Sequence, residues 1–327
     1  MLLLLLLVGV GLAHNPEENV GIKDPNLFEG DIVLSPDQRL AAKMGLDVTH
    51  PASARGSVRT GQWPGGVLVY TIDPGLAQYS QAMSAIEAGM KMWTDNTCIR
   101  FKERTNERAY ATFHFGSGCS SEVGMKNRQQ HISLGNGCWH AGVVAHEIAH
   151  ALGFFHEQSR PDRDNYVTIY INNVEVYARN NFDKYPRATI DSLGTPYDYG
   201  SVMHYGPTAF GIGGFVTIQP KKAGVTIGQR DYVSPTDVKQ MNLLYKCSAG
   251  SGGDGGECKD NDKNCEYWAG IGECEKNPTW MHRECKVSCK SCCADYVKHC
   301  KYWAGIDECK KNPSYMLREC KKSCNKC

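Results

Sequence analysis

Apolar positions along the chain fall into short runs whose period changes from one run to the next. Gly65 to Asp73, reading GGVLVYTID, is apolar and β-branched between turn-forming residues, and predicts a strand. Ala82, Ile86, Met90 and Trp93 recur at helical spacing and predict an amphipathic helix over 77–96. Ile99 to Arg104 and Tyr110 to Phe115 alternate as strands do, and His131 to Leu134 is a further strand candidate. Gly142 to Leu152 reads as a helix that carries His146 and His150. Ser234-Pro235-Thr236-Asp237 opens a last helix, with serine as N-cap and proline in the first turn. Val238, Met241, Leu244 and Tyr245 form its apolar face, and it ends at Cys247. The mixture of strands and helices predicts an α+β domain, in which the Met and Trp positions are core.

The pattern breaks at both ends. Met1 to Ala13 (MLLLLLLVGVGLA) is an apolar stretch too short to span a bilayer, followed at once by polar residues. It fits a secretory signal peptide cut after Ala13, although a basic segment is missing before it, so the true start could lie upstream. No later segment is apolar enough for a membrane span. At the other end, 248–257 has the Gly/Ser composition of a flexible linker. Beyond it the text repeats: Cys258, Cys265, Cys274, Cys285, Cys289 and Cys292 return, shifted by 35, as Cys293, Cys300, Cys309, Cys320, Cys324 and Cys327. Tyr267-Trp268-Ala269-Gly270-Ile271 likewise returns as Tyr302-Trp303-Ala304-Gly305-Ile306. Six cysteines in so short a repeat indicate a disulfide-stapled miniature domain, since 35 residues cannot bury an adequate core. Zinc binding is the rival use of clustered cysteines, but the even total of 16 and the leader favour disulfides in an oxidising compartment. The chain has 327 residues, 41% of them hydrophobic, and a formal charge of +1, which points to no nucleic-acid partner.

The chemistry concentrates in His146-Glu147-Ile148-Ala149-His150-Ala151-Leu152-Gly153-Phe154-Phe155-His156, which reads H-E-x-x-H-x-x-G-x-x-H. On a helix, His146 and His150 project from one face and can reach one ion. Glu147 can reach a water at that ion without binding the metal. Gly153 lets the chain leave the helix in a left-handed conformation, which brings His156 under the metal and leaves a fourth position open. A buried amphipathic helix with incidental histidines explains neither the glycine nor the third histidine.

The neighbouring residues decide among families that share this motif. His156-Glu157-Gln158-Ser159-Arg160-Pro161-Asp162-Arg163-Asp164 resembles the astacin family of metzincin proteases, and Ser201-Val202-Met203-His204-Tyr205 is similar to its Met-turn. Ile227-Gly228-Gln229-Arg230 and Ser117-Gly118-Cys119 also resemble family segments, and the likeness spans about residues 28 to 247. It implies a metzincin catalytic domain with an N-terminal twisted sheet, long helices and a helical C-terminal subdomain. It implies one Zn2+ held by His146, His150 and His156, with Glu147 as general base and Tyr205 as the tyrosine that stabilises the oxyanion. Met203 would floor the site, and Arg230 would line the S1′ pocket and favour an acidic residue after the cut; a surface salt bridge is its alternative. Glu157 would meet the new N-terminus, freed by an activating protease at Arg55-Gly56 or Arg59-Thr60, with Arg55 favoured. Phe28-Glu29-Gly30-Asp31-Ile32 resembles the pro-segment motif whose aspartate, here Asp31, occupies zinc. The family pairings are Cys98–Cys247 and Cys119–Cys138.

The tail repeats resemble the ShKT domain of sea-anemone potassium-channel toxins. That resemblance implies Cys258–Cys292, Cys265–Cys285, Cys274–Cys289, Cys293–Cys327, Cys300–Cys320 and Cys309–Cys324. Channel blockers carry a Lys-Tyr pair where this chain has Thr279-Trp280 and Ser314-Tyr315, so the lysine is absent; the two aromatic residues are read as packing. The expected organisation is a signal peptide 1–13, pro-segment 14–55, catalytic domain 56–247, linker 248–257 and ShKT domains 258–292 and 293–327. The expected function is that of a secreted, extracellular zinc endopeptidase made as a latent proenzyme. It would act on proteins or peptides, and the tail would have a ligand of its own. The competing class is a toxin or binding protein that acts through the ShKT modules, and zinc-dependent hydrolysis of casein separates the two.

Overall fold

Seven strands form one mixed sheet, in the spatial order β1-β2-β6-β7-β5-β3-β4. They are β1 (Leu27–Phe28), β2 (Ile32–Val33), β3 (Val67–Ile72), β4 (Arg100–Glu103), β5 (Tyr110–His114), β6 (Cys119–Glu122) and β7 (Gln129–Leu134). The computed structural model describes residues 19, 27–43, 61–185 and 191–247. In the tail it describes 260, 262–276, 281, 285, 287–289, 295, 299–311, 316, 320 and 322–324. The expected leader 1–13, Arg55, Arg59, the linker, Thr279, Trp280, Ser314, Tyr315, Cys258–Cys292 and Cys293–Cys327 lie outside the described residues.

β4, β3, β5 and β7 run parallel, and β6 turns back antiparallel on β7. The residues upstream of 43 add two more strands: β2 pairs in parallel with β6, and β1 pairs antiparallel with β2. An open sheet edge would leave a row of unpaired backbone groups, and this segment covers it. Ile32 and Leu34 bury themselves with Val123, while the Asn19 side chain donates to Gly30 O and Cys119 O at 2.8 and 2.7 Å. β6 was not predicted. Its residues Cys119, Ser120, Ser121 and Glu122 show no apolar alternation, yet all four are buried between β7 and β2.

Two long helices pack on the sheet, α3 (Ser80–Thr94), after the short α2 (Pro74–Ala77), and α4 (Ala141–Leu152). They approach closely because Gly89 has no Cβ; one would lie 2.9 Å from Val144 Cβ. Trp93 Nε1 donates to Ala145 O at 2.9 Å and Trp63 Nε1 to Ala151 O at 2.8 Å, so two of the three tryptophans fully buried among the described residues hold α4 by its backbone. Every residue from Gly142 to Leu152 is buried, so α4 is enclosed on all sides rather than amphipathic.

After α4 the chain runs mainly through 3₁₀ turns and loops around a second core that includes Val167, Phe182, Tyr197, Tyr205, Phe210 and Ile218. It closes with α5 (Pro235–Leu244), following α1 (Pro36–Lys43) and the helices above in chain order. Ser234 and Asp237 form a capping box at the start of α5. Cys98 is bridged to Cys247 and Cys119 to Cys138. In the tail, Cys265–Cys285, Cys274–Cys289, Cys300–Cys320 and Cys309–Cys324 are bridged. No helix among the described residues is long and apolar enough to cross a membrane.

Candidate metal centre

Two local devices bring three histidines together. α4 places His146 and His150 one turn apart, and Gly153 then ends it at φ 114°, ψ 9°, a conformation that a Cβ disfavours. Gly153 N donates to His150 O at 2.8 Å and Phe154 N to Ala149 O at 2.9 Å, after which the chain returns to deliver His156. Gly153→Ala should therefore lose about 1–2 kcal/mol of stability, measured by urea unfolding, through backbone strain alone. The nearest atom to an added Cβ is Leu244 Cδ2 at an ordinary 3.6 Å.

Each imidazole is oriented through Nδ1. His146 Nδ1 meets Val202 O at 2.8 Å, His150 Nδ1 meets Phe154 O at 2.7 Å and His156 Nδ1 meets Glu29 Oε2 at 2.6 Å. Nδ1–H donation leaves the Nε2 lone pair of a neutral ring available to a metal. The Nε2 atoms of His146 and His150 lie 3.1 Å apart, and two facing lone pairs at that distance repel unless a cation lies between them. Asp31 Oδ2 completes the group, 3.0 Å from His146 Nε2 and 3.2 Å from His156 Nε2. Tetrahedral zinc with bonds of about 2.0–2.1 Å has ligand–ligand edges of roughly 3.3–3.4 Å. The four side chains are fully buried and offer ligand atoms all within 4.8 Å of one another. Donor type, tautomer, spacing and burial all fit zinc.

The other predicted residues surround this group. Glu147 is buried on α4 beside His146. The Tyr205 ring lies 4.6 Å from that of His156, and its hydroxyl donates to Glu29 O. Met203 is buried, and its carbonyl accepts from Glu157 N at 3.1 Å. The Arg230 guanidinium donates to His204 O at 3.1 Å, and its charge acts on His146. Glu157 is buried with Oε1 3.0 Å from Arg160 Nη1 and 2.7 Å from Asp198 N. Burial, opposed by Arg160 and reinforced by Asp198, pushes its carboxyl up to about 8.

Three supporting residues were missed. Glu29 holds both His156 and Tyr205, whereas the motif's resemblance points to Asp31 alone. Gln158 Oε1 accepts from Tyr205 N at 3.0 Å. Asp237, read only as part of a helix start, accepts from Ser201 Oγ at 2.6 Å and Val202 N at 2.9 Å, fastening the Met-turn to α5.

Comparison with known proteins then decides the family. The model of the astacin peptidase family matches residues 56–246. The chain belongs to the astacin family. Residues 257–292 and 293–327 each match the ShK domain-like family. The astacin chain is 38% identical to Zinc metalloproteinase nas-15 of Caenorhabditis elegans over 87% of its own length and 58% of that protein's. It is 37% identical to Blastula protease 10 of Paracentrotus lividus over 81% of its own length and 43% of the relative's. It thus spans about half the length of these curated relatives. Among solved structures it matches high choriolytic enzyme 1, a hatching-enzyme zinc protease of the medaka Oryzias latipes, with 40% identity and a TM-score of 0.53. That match covers 58% of this chain and 94% of the other. The astacin fold and its zinc chemistry agree with the histidine and aspartate group described above.

Proposed function

We propose that this astacin chain is a secreted zinc endopeptidase held latent by its own N-terminal segment, and that it cleaves extracellular proteins before acidic residues. The observation that carries the reading is the convergence of three imidazole Nε2 atoms with Asp31 in a fully buried pocket next to Glu147. His146, His150 and His156 would hold the ion. When bound, zinc supplies Lewis acidity, lowering the pKa of a water and polarising a carbonyl oxygen.

The chain's own residues do the rest. Glu147 accepts the proton of the attacking water and returns it to the nitrogen of the leaving amine. Tyr205, once Glu29 O has departed with the pro-segment, donates its hydroxyl hydrogen to the developing oxyanion. Asp237 and Gln158 hold the Met-turn and the Tyr205 backbone, so only the tyrosine side chain has to turn. Latency is supported by β1 and β2, which close the sheet edge and carry Asp31 to the histidines. Removal of this segment by a protease at Arg55 or Arg59 would expose the pocket. Glu157 is then the partner of the new N-terminus: it and Asp237 are buried, Asp198 lies half-buried beside them, and desolvation pushes all three carboxyls up. An incoming ammonium would relieve that crowding. Secretion is supported by the apolar leader and by the bridged cysteines.

Arg230 supplies the specificity: its guanidinium donates to His204 O, next to Tyr205, and its charge is felt at His146. Arg230→Gln should cut kcat/KM for peptides with Asp or Glu after the scissile bond by about 10- to 100-fold, the worth of one hydrogen bond to a charged group. Peptides with Asn or Gln there should change little. A peptide-library profile in which the wild type shows no acidic preference would sink this part of the proposal.

A further inference from the structure

The two tail repeats share one sequence pattern but have different surroundings. In the first, Cys265, Met281 and Cys285 form a small cluster of their own, with Trp268 half-buried against it. In the second, Cys300, Trp303, Met316 and Cys320 join the main core of the catalytic unit, and Trp303 is fully buried. The junction is Tyr232, only 6% exposed, whose ring centroid lies 5.1 Å from Tyr302, 5.8 Å from His299 and 6.4 Å from Trp303. His299 occupies the position of Asn264 in the first repeat, so this ring of the clamp is present in the second repeat alone. A second point of approach lies beside it: Tyr302, Ile306, Glu308 and Lys311 wall a cleft of about 630 Å³ opposite Asp198 and Tyr199.

We propose that the second repeat is an integral wall of the catalytic unit, docked on Tyr232, and that through Tyr232 it positions the Arg230 segment. The connection is short. The Gln229 side-chain amide binds Tyr232 N at 3.1 Å and Tyr232 O at 2.9 Å, and also Gly200 O at 2.8 Å. Gly200 is two residues before Val202, whose carbonyl orients His146. Arg230 lies inside this brace, its backbone so close to the start of α4 that a Cβ on Gly142 would sit 1.7 Å from Arg230 O. A loop wedged on one side and clamped at Tyr232 on the other has one place for its guanidinium. Tyr232 and His299 are thus positioning residues, and the tether between the units keeps a modest aromatic contact closed by raising its effective concentration.

The positioning arm rests on the reading of Arg230; the docking arm does not. The test compares wild type, His299→Asn, Tyr232→Ala and Tyr232→Phe as full chains. Hydrogen–deuterium exchange of the latent proteins reads docking, and kcat/KM for a peptide pair with Asp or Asn after the cut reads positioning in the activated ones. His299→Asn and Tyr232→Ala should speed exchange in 229–234 and 299–306 together. They should lower the Asp/Asn selectivity about 10-fold, mainly through KM, while Tyr232→Phe keeps both. Unchanged exchange in 229–234 in both variants would overturn the docking. Loosened exchange with unchanged selectivity would overturn the positioning role. A wild type without acidic preference would overturn the Arg230 reading, and docking would then be decided by exchange alone.

Discussion

Replacing Asp31 by alanine in the full chain should release peptidase activity without any activating cleavage. Asp31 is fully buried and its two oxygens face all three histidines, with Oδ2 3.0 and 3.2 Å from His146 and His156 and Oδ1 3.6 Å from His150. No other carboxylate among the described residues joins that group of ligand atoms. Truncating one side of a buried charged contact costs about 2–5 kcal/mol. At 1.4 kcal/mol per decade, the population with the segment displaced should rise by about 30- to 4,000-fold. The release need not be complete, because Glu29 still holds His156 and Tyr205, and Ile32 and Leu34 still fill their apolar pocket. Hydrolysis of a quenched fluorescent peptide by uncleaved protein is the measurement. A variant as silent as the latent wild type would mean that the segment blocks by bulk alone.

Glu147→Gln should cut turnover of the activated enzyme by about 10²–10⁴-fold while leaving the metal in place. Glutamine keeps the size and helix-forming character of glutamate at a buried position on α4, so the fold and the three histidines should be undisturbed. It cannot accept the proton of the attacking water. A positioned general base contributes about 10²–10⁴-fold, and kcat should fall by that factor with zinc content unchanged by metal analysis. Retained turnover would remove Glu147 from the chemistry, whereas lost turnover with lost zinc would indicate a structural role.

What the sequence revealed follows from how local each signal was. The histidine motif was legible because its geometry is set within eleven residues: a helix face, a neighbouring carboxylate and one left-handed glycine. Helix α3 was legible because one face carries its apolar pattern, and the central parallel strands because they are short β-branched and aromatic runs between turn residues, buried at successive positions on both faces. β6 was not, because Ser120, Ser121 and Glu122 are polar residues buried by a strand almost 90 residues earlier in the chain. Glu29 was overlooked because its role depends on which nitrogen of His156 faces it, which no spacing reveals. The docking of the second repeat on Tyr232 was hidden for a related reason. The repeats look alike in text, and the residue that separates them, His299 against Asn264, matters only once Tyr232 is beside it.

The central claim is that hydrolysis depends on one zinc ion held by His146, His150 and His156. It is tested most directly by removing the metal from the activated chain with a chelator, then titrating zinc back while following peptide cleavage. Activity should vanish with the metal and return in proportion to added zinc, reaching a plateau at one equivalent per chain. Cleavage that continues in metal-free protein, or that fails to return with zinc while the fold is intact, would contradict it.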